Sequence, residues 1–214
     1  MKRLIIILAA ALAVLSPAPA QTTDNDVKAA QKTAKEASRK ARSAEKSLRR
    51  EGYRSYDIGT ANASLRQYFQ KVESGCTSIV GTSGPCITEN LAKLTSLANA
   101  ANEYAILNGG EIRGRITSSA SSLSGAQIDN LVASFERLVE KDIRGELIPV
   151  AVFFKESGGR FSARAYCIVD EDAAARARRH AMELALAENA LAEKYGTMVS
   201  DWIDEGFWKK GERQ

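Results

Sequence analysis

The chain has 214 residues, 44% of them apolar and 26% charged, enough for one ordinary domain with a core and some appendages. That balance excludes a wholly disordered, collagenous or multi-span membrane protein. The formal charge is +4, from 30 Lys and Arg against 26 Asp and Glu; setting aside Lys2 and Arg3 leaves 28 against 26, a nearly neutral +2.

The first twenty residues read as an export signal. Met1-Lys2-Arg3 gives a positive start, Leu4 to Leu15 is unbroken apolar sequence, and Ala18-Pro19-Ala20 has the small-residue spacing of a signal-peptidase site, predicting cleavage before Gln21. The apolar run is too short to cross about 30 Å of hydrocarbon comfortably, so no permanent membrane span is predicted. No Cys follows the run, so a lipoprotein anchor lacks its acyl acceptor. The implied location is periplasmic or secreted, with peripheral association at the outer membrane.

Charge is unevenly spread. Residues 21–50 hold nine Lys or Arg against Asp24, Asp26, Glu36 and Glu45, which is +5, whereas residues 51–214 hold 19 against 22, which is −3. Outside the cytoplasm a basic arm meets lipopolysaccharide, phospholipid or acidic proteins rather than nucleic acid. Asp24 to Arg50 has neither Pro nor Gly and reads as a long helix. Val27, Ala30, Ala34, Ala37, Ala41, Ala44 and Leu48 alternate steps of three and four, the a/d seam of a heptad. Two readings stand: a solvated helix lying on its own domain, or a coil that associates with itself or with an envelope partner.

The arm, 21–52, leads into a linker and short helix, 53–75, in which Leu65, Tyr68, Phe69 and Val72 share one face. An α+β domain is predicted over 76–208, followed by a tail, 209–214. Cys76 to Thr82 is β-branched and bounded by glycines, which predicts a strand. A helix follows from near Thr88, with Ile87, Leu91, Leu94, Ala98, Ala101 and Ala105 as its inward stripe, Leu97 and Tyr104 widening it, and Asn108-Gly109-Gly110 as its end. Residues 111–122 are ambiguous. Ser124-Gly125-Ala126-Gln127 has the capping-box form and opens a helix through about Asp142.

Leu147 to Lys155 and Arg160 to Asp170 flank Glu156-Ser157-Gly158-Gly159 and predict a hairpin. Asp170 or Asp172 then caps a helix to about Tyr195, with Ala177, Ala181, Leu184, Leu191 and Tyr195 inward and Gly196 as a break. Trp202, Phe207 and Trp208 follow. The predicted architecture is α+β: a small antiparallel-containing sheet of about three strands with helices on one face, plus the long N-terminal helix. So few strands leave exposed edges that a homo-oligomer would cover.

Ile79-Val80-Gly81-Thr82, followed by the Ala- and Leu-rich segment Asn90 to Ala105, resembles the core of envelope proteins related to the Helicobacter twenty-kilodalton surface lipoprotein. Lys46-Ser47-Leu48-Arg49-Arg50-Glu51-Gly52-Tyr53 further resembles the end of the basic arm in secreted Bacteroidetes proteins of unassigned activity. The resemblance spans about residues 45–195 and implies a surface or periplasmic protein with no established reaction; the missing lipobox Cys departs from the lipoproteins.

Chemistry-bearing motifs are sparse. His180 lies beside like charge in Arg178-Arg179-His180. Ser43-Ala44-Glu45-Lys46 has the S-x-x-K form without its companion motifs. Asp170-Glu171-Asp172 suits a helix cap at least as well as Ca²⁺. Gly81 to Pro85 lacks a nucleotide-binding Lys, and Arg113, Arg115, Arg137 and Arg144 form an anion patch only if their helices converge. Cys76, Cys86 and Cys167 would meet an oxidising compartment, with an odd count and three open pairings. The sequence therefore assigns no catalytic, cofactor-binding or metal-ligating residue. It favours an exported, non-catalytic envelope protein that binds a protein or envelope component, over the alternative of a periplasmic hydrolase.

Overall fold

A computed structural model describes residues 24–56, 60–119 and 123–204. The predicted leader, residues 57–59 of the linker, and Phe207, Trp208 and the tail lie outside the described residues. The element order is α1 (Asp24–Arg50), β1 (Arg54–Ser55), α2 (Ala61–Glu73), β2 (Thr77–Thr82), α3 (Glu89–Ser119), α4 (Gly125–Arg144), β3 (Ile148–Ser157), β4 (Arg160–Val169), α5 (Glu171–Glu188) and α6 (Ala192–Asp204).

The fold is α+β, but the sheet has four antiparallel strands rather than three, in the order β1-β3-β4-β2. The extra strand is only two residues long, too short to leave a periodic signal. The hairpin forms as predicted, and Gly158 and Gly159 adopt φ of 58° and 70°, the left-handed pair a two-residue turn of matching twist requires. The register slips between Pro149 and Ala151. Pro149, with no N–H to give, lies beyond the reach of β1, which pairs only with Phe153 and Phe154.

Helices cover both sheet faces, not one, because β3 and β4 are apolar on alternate residues in both directions. Ala151 and Phe153 face the α1/α2 pair, packing with Ala41, Leu48 and Leu65, while Tyr53, Phe69 and Tyr166 close the margins. Val152, Phe154, Ala163, Ala165, Cys167 and Val169 enter the larger core with α3 to α6. Leu48, Leu65 and Phe153 are almost fully buried; each contributes about 1.5–3 kcal/mol relative to exposure.

α3 departs most from its sequence reading. Ile87, Leu91 and Leu94, predicted inward, are 69%, 44% and 54% exposed, and Ala92, Ser96 and Ala100 turn inward instead. A Cβ at Gly81 would lie 2.0 Å from the Ser96 carbonyl oxygen and 2.6 Å from the Ala100 amide nitrogen. The helix thus rests directly on β2, and only small residues fit beneath it.

α3 also runs straight through the predicted stop at Asn108-Gly109-Gly110 to Ser119. A Cβ at Gly109 would lie 2.1 Å from Glu136 Oε1, so the glycine admits α4 rather than ending α3. Burial there raises the Glu136 pKa, Arg113 opposing the shift. Packing along α4 outweighs the weak propensity of glycine.

α4 begins at its capping box, Ser124 Oγ accepting from the Gln127 amide at 3.3 Å and Gln127 Oε1 from the Ser124 amide at 3.0 Å. The last predicted helix is instead two, divided at Asn189-Ala190 and continuous through Gly196. Asn189 Nδ2 donates to the Ala185 carbonyl at 2.8 Å and to Ser134 Oγ at 3.2 Å, and Ala190 adopts φ 55°. Leu184, predicted inward, is exposed.

Candidate functional site

The Ala-lined seam of α1 is its attachment to the domain. Ala37, Ala41 and Leu48 are buried, with Ala34 and Ala44 half-buried, and α2 lies antiparallel along them. Lys40 pairs with Glu73 at one end, and Asn62 Nδ2 donates to Glu45 Oε2 at 3.0 Å at the other. α1 begins at Asp24, so residues 24–36 continue past the end of α2 by about 20 Å at 1.5 Å per residue.

The face opposite the seam is cationic. Lys28, Lys32, Lys35, Arg39, Arg42, Lys46 and Arg49 step by four and three in alternation, and all seven are exposed. With the seam at a and d, these are the b and f positions of the same heptad, so the ridge follows the helix as straight as the seam does, over about 32 Å. Arg50 broadens its end.

Two carboxylates near the carboxyl end of α1 make contacts beyond the ridge. Glu45 accepts from Arg49 at 2.7 Å as well as from Asn62, and Glu51, just after the helix, pairs with Arg164 of β4 at 2.8 Å. The Arg164 hydrogen bond, helped by Ser47, holds the Glu51 carboxyl below its usual range. Glu36, half-buried, lies among the cations. Among the described residues, no carboxylate lies within ion-pair distance of Lys32, Lys35, Arg39, Arg42 or Lys46. Successive charges sit about one turn apart, inside the Debye length of about 8 Å at physiological salt, so their fields add along the ridge.

The other sequence candidates are dispersed. His180 Nδ1 lies 2.6 Å from Asp142 Oδ2 in an exposed contact between α5 and α4. Ser43 and Lys46 are both exposed on α1. Asp170 caps α5, its Oδ1 accepting from the amides of Asp172 and Ala173 at 3.0 and 3.3 Å. Gly81 lies under α3, and Ser83 Oγ accepts from the Ala163 amide at 2.8 Å, so these two residues of the Gly81–Pro85 segment are committed to packing.

The four arginines do not converge. Arg113 pairs with Asp129 at 2.5 Å, Arg137 with both Glu188 oxygens at 2.6 and 2.7 Å, and Arg144 with Glu140; Arg115 lies 5.5 Å from the Trp202 ring centroid. All three cysteines are free. β2 separates Cys76 from Cys86, and six extended residues span about 20 Å, beyond disulfide reach. Cys167 is buried, which pushes its thiol pKa up to about 11.

Arg178 is a buried cation the sequence reading treated only as a neighbour of His180. Its Nη1 donates to Tyr104 Oη and its Nη2 to Glu171 Oε1, both at 2.6 Å, and Thr77 Oγ1 donates to Glu171 Oε2. Burial raises the Tyr104 pKa even though Arg178 opposes the shift. The cluster ties the start of α5 to α3 and β2. Its signal in the sequence was position alone: Arg178 follows Ala174 by four and Ala177 by one on the buried face of α5.

No family model, curated protein or solved structure matches this chain. Within the described residues, the α1 ridge is the site with a concentrated and directional chemistry: a row of cations suited to a polyanionic surface. No described helix is long and apolar enough to cross a membrane.

Proposed function

We propose that this is an exported, non-catalytic cell-envelope protein whose basic arm engages an anionic envelope component. The observation that supports this reading most directly is the heptad-spaced ridge Lys28 to Arg49, exposed along its length and largely free of internal carboxylate partners. Such a ridge makes parallel contact with many phosphates or carboxylates at once, and each Lys or Arg near an anionic membrane surface is worth about 1 kcal/mol. The seam stays packed on α2 while the ridge binds, so contact is electrostatic and peripheral rather than by insertion of an apolar face. The export leader read at residues 1–20 and the resemblance to envelope proteins belong to the same proposal.

Vesicle co-sedimentation tests it. The protein should bind vesicles containing phosphatidylglycerol, with affinity falling steeply as salt rises, and should ignore phosphatidylcholine vesicles. Reversing Lys32, Lys35, Arg39 and Arg42 together to Glu removes at least four favourable contacts and should weaken binding about a thousandfold. Unchanged binding by a variant that melts like the parent protein would refute the ridge as the contact surface.

A further inference from the structure

The sheet divides the helices into two layers of opposite charge. On the face of Ala151 and Phe153, α1 carries nine Lys and Arg against four Asp and Glu, and α2 two against one, a net +6 for the layer. On the face of Val152 and Phe154, the counts are three against three on α3, three against four on α4, three against four on α5 and one against three on α6, a net −4. The sheet and the width of a helix, about 10 Å, stand between the outer surface of one layer and the other layer. That exceeds the Debye length of about 8 Å at physiological salt, so each layer shows solvent its own sign of charge.

The cationic layer is two helices wide. α2 buries Leu65 and Tyr68 and half-buries Ala61, Phe69 and Val72, which leaves Ala63, Arg66, Gln67, Gln70 and Lys71 exposed on its other side. Two of these five are cations and none is an acid. Glu73 of α2 is held by Lys40, and Glu45 of α1 by Arg49 and Asn62. Among the described residues, no carboxylate lies within ion-pair distance of Arg66 or Lys71. The α1 seam and Leu65 pack together on Phe153, so the α1 ridge and the exposed side of α2 both look away from the sheet. Among the described residues, neither helix exposes a large apolar side chain.

We infer that the α1/α2 layer as a whole, Arg66 and Lys71 included, is a docking face for a bilayer of anionic phospholipid, with α3 to α6 turned away from it. The inference rests on the proposal that the basic arm engages an anionic envelope component, and it names the form of that component. A single row of cations follows a linear polyanion as well as it follows a plane; a second helix beside it adds breadth that a surface can use and a thread cannot. The charge difference across the sheet sets the orientation, because phosphates attract the +6 layer and repel the −4 layer. With no large apolar side chain to insert, contact stays at the level of the headgroups.

The test makes one change in net charge on either side of the sheet. Arg66→Glu with Lys71→Glu, the α1 ridge intact, should weaken binding to phosphatidylglycerol vesicles by about thirtyfold or more, the loss of two surface cations. Lys141→Glu with Arg176→Glu, at exposed positions of α4 and α5, alters the net charge equally and should leave binding within about twofold of the parent protein. On the vesicle-bound parent protein, Lys71 should lose most of its reactivity toward an amine-acylating reagent, while Lys141 and Lys194 react as they do in solution. Melting curves confirm that each variant is folded. Equal weakening by the two double variants would mean that net charge alone governs binding. Binding that needs the α1 ridge yet is untouched by Arg66→Glu with Lys71→Glu would confine the contact to one helix, the geometry of a linear polyanion. Either result, or a Lys71 as reactive on vesicles as off them, overturns the docking face and leaves the role of the arm standing. A parent protein that ignores these vesicles overturns the inference together with the reading it rests on.

Discussion

Gly81 and Gly110 show how one residue type serves opposite ends. At Gly81 the atoms that would meet a Cβ are backbone atoms of α3, at 2.0 and 2.6 Å, which cannot swing away. At Gly110, in the middle of the same helix, nothing lies within 4 Å. Gly81→Ala should therefore destabilise the protein by about 3 kcal/mol, lowering the melting temperature by about 6–12 °C for a chain of this size. Gly110→Ala should raise stability by about 0.5–1 kcal/mol, since alanine restricts the unfolded chain at no steric cost. Paired thermal melts check both, and a similar response at the two positions would contradict the close approach of α3 to β2.

The cysteines carry a second expectation at this scale. Cys167 is buried between the sheet and α3 with its thiol pKa pushed up to about 11, whereas Cys76 and Cys86 are partly accessible. In native buffer at pH 8 a thiol reagent should therefore label two cysteines quickly and the third only after denaturation. Rapid labelling of all three would place Cys167 elsewhere.

At the scale of elements, α1 has two parts under one heptad. From Ala37 to Leu48 its seam is shut against α2 and the sheet, and this part belongs to the core around Leu65 and Phe153. Before Ala37, no residue whose side chain is described is buried. Deleting residues up to Glu36 should shift the melting temperature by no more than about 2 °C, while deleting through Arg50 uncovers Leu65 and Phe153 and should cost several kcal/mol. Calorimetry on the two truncations distinguishes them; equal losses would mean that the projecting part is packed after all. The same division suits the proposed function, because the half that anchors the arm is not the half that projects.

For the whole molecule, two surfaces face different ways in chemical terms. The α1 ridge is cationic and repels its own copy, so a second molecule does not compete for it. Leu91 and Leu94 on α3 are exposed and apolar, and a polyanion gains nothing there. The two sheet edges are unequal: β1 is a two-residue stub, whereas β2 offers a six-residue edge.

Much of this protein was legible from local pattern. The heptad of α1, the capping box at Ser124, the Gly158-Gly159 hairpin and the cap at Asp170 are each fixed by residues within a few positions of one another, and all formed where their chemistry required. The cationic ridge was equally present in the spacing of Lys28 to Arg49, at the b and f positions of the same heptad. What tertiary structure alone decided were the contacts made across the chain. Which face of α3 turned inward depended on Gly81, a residue on another element; whether Gly109 ended that helix depended on Glu136; and whether the sheet had one covered face or two depended on where α2 docked. Periodicity reports that a helix has a face of hydrophobic residues, but the distance of closest approach selects which face is buried, and that distance is set by residues far away in sequence.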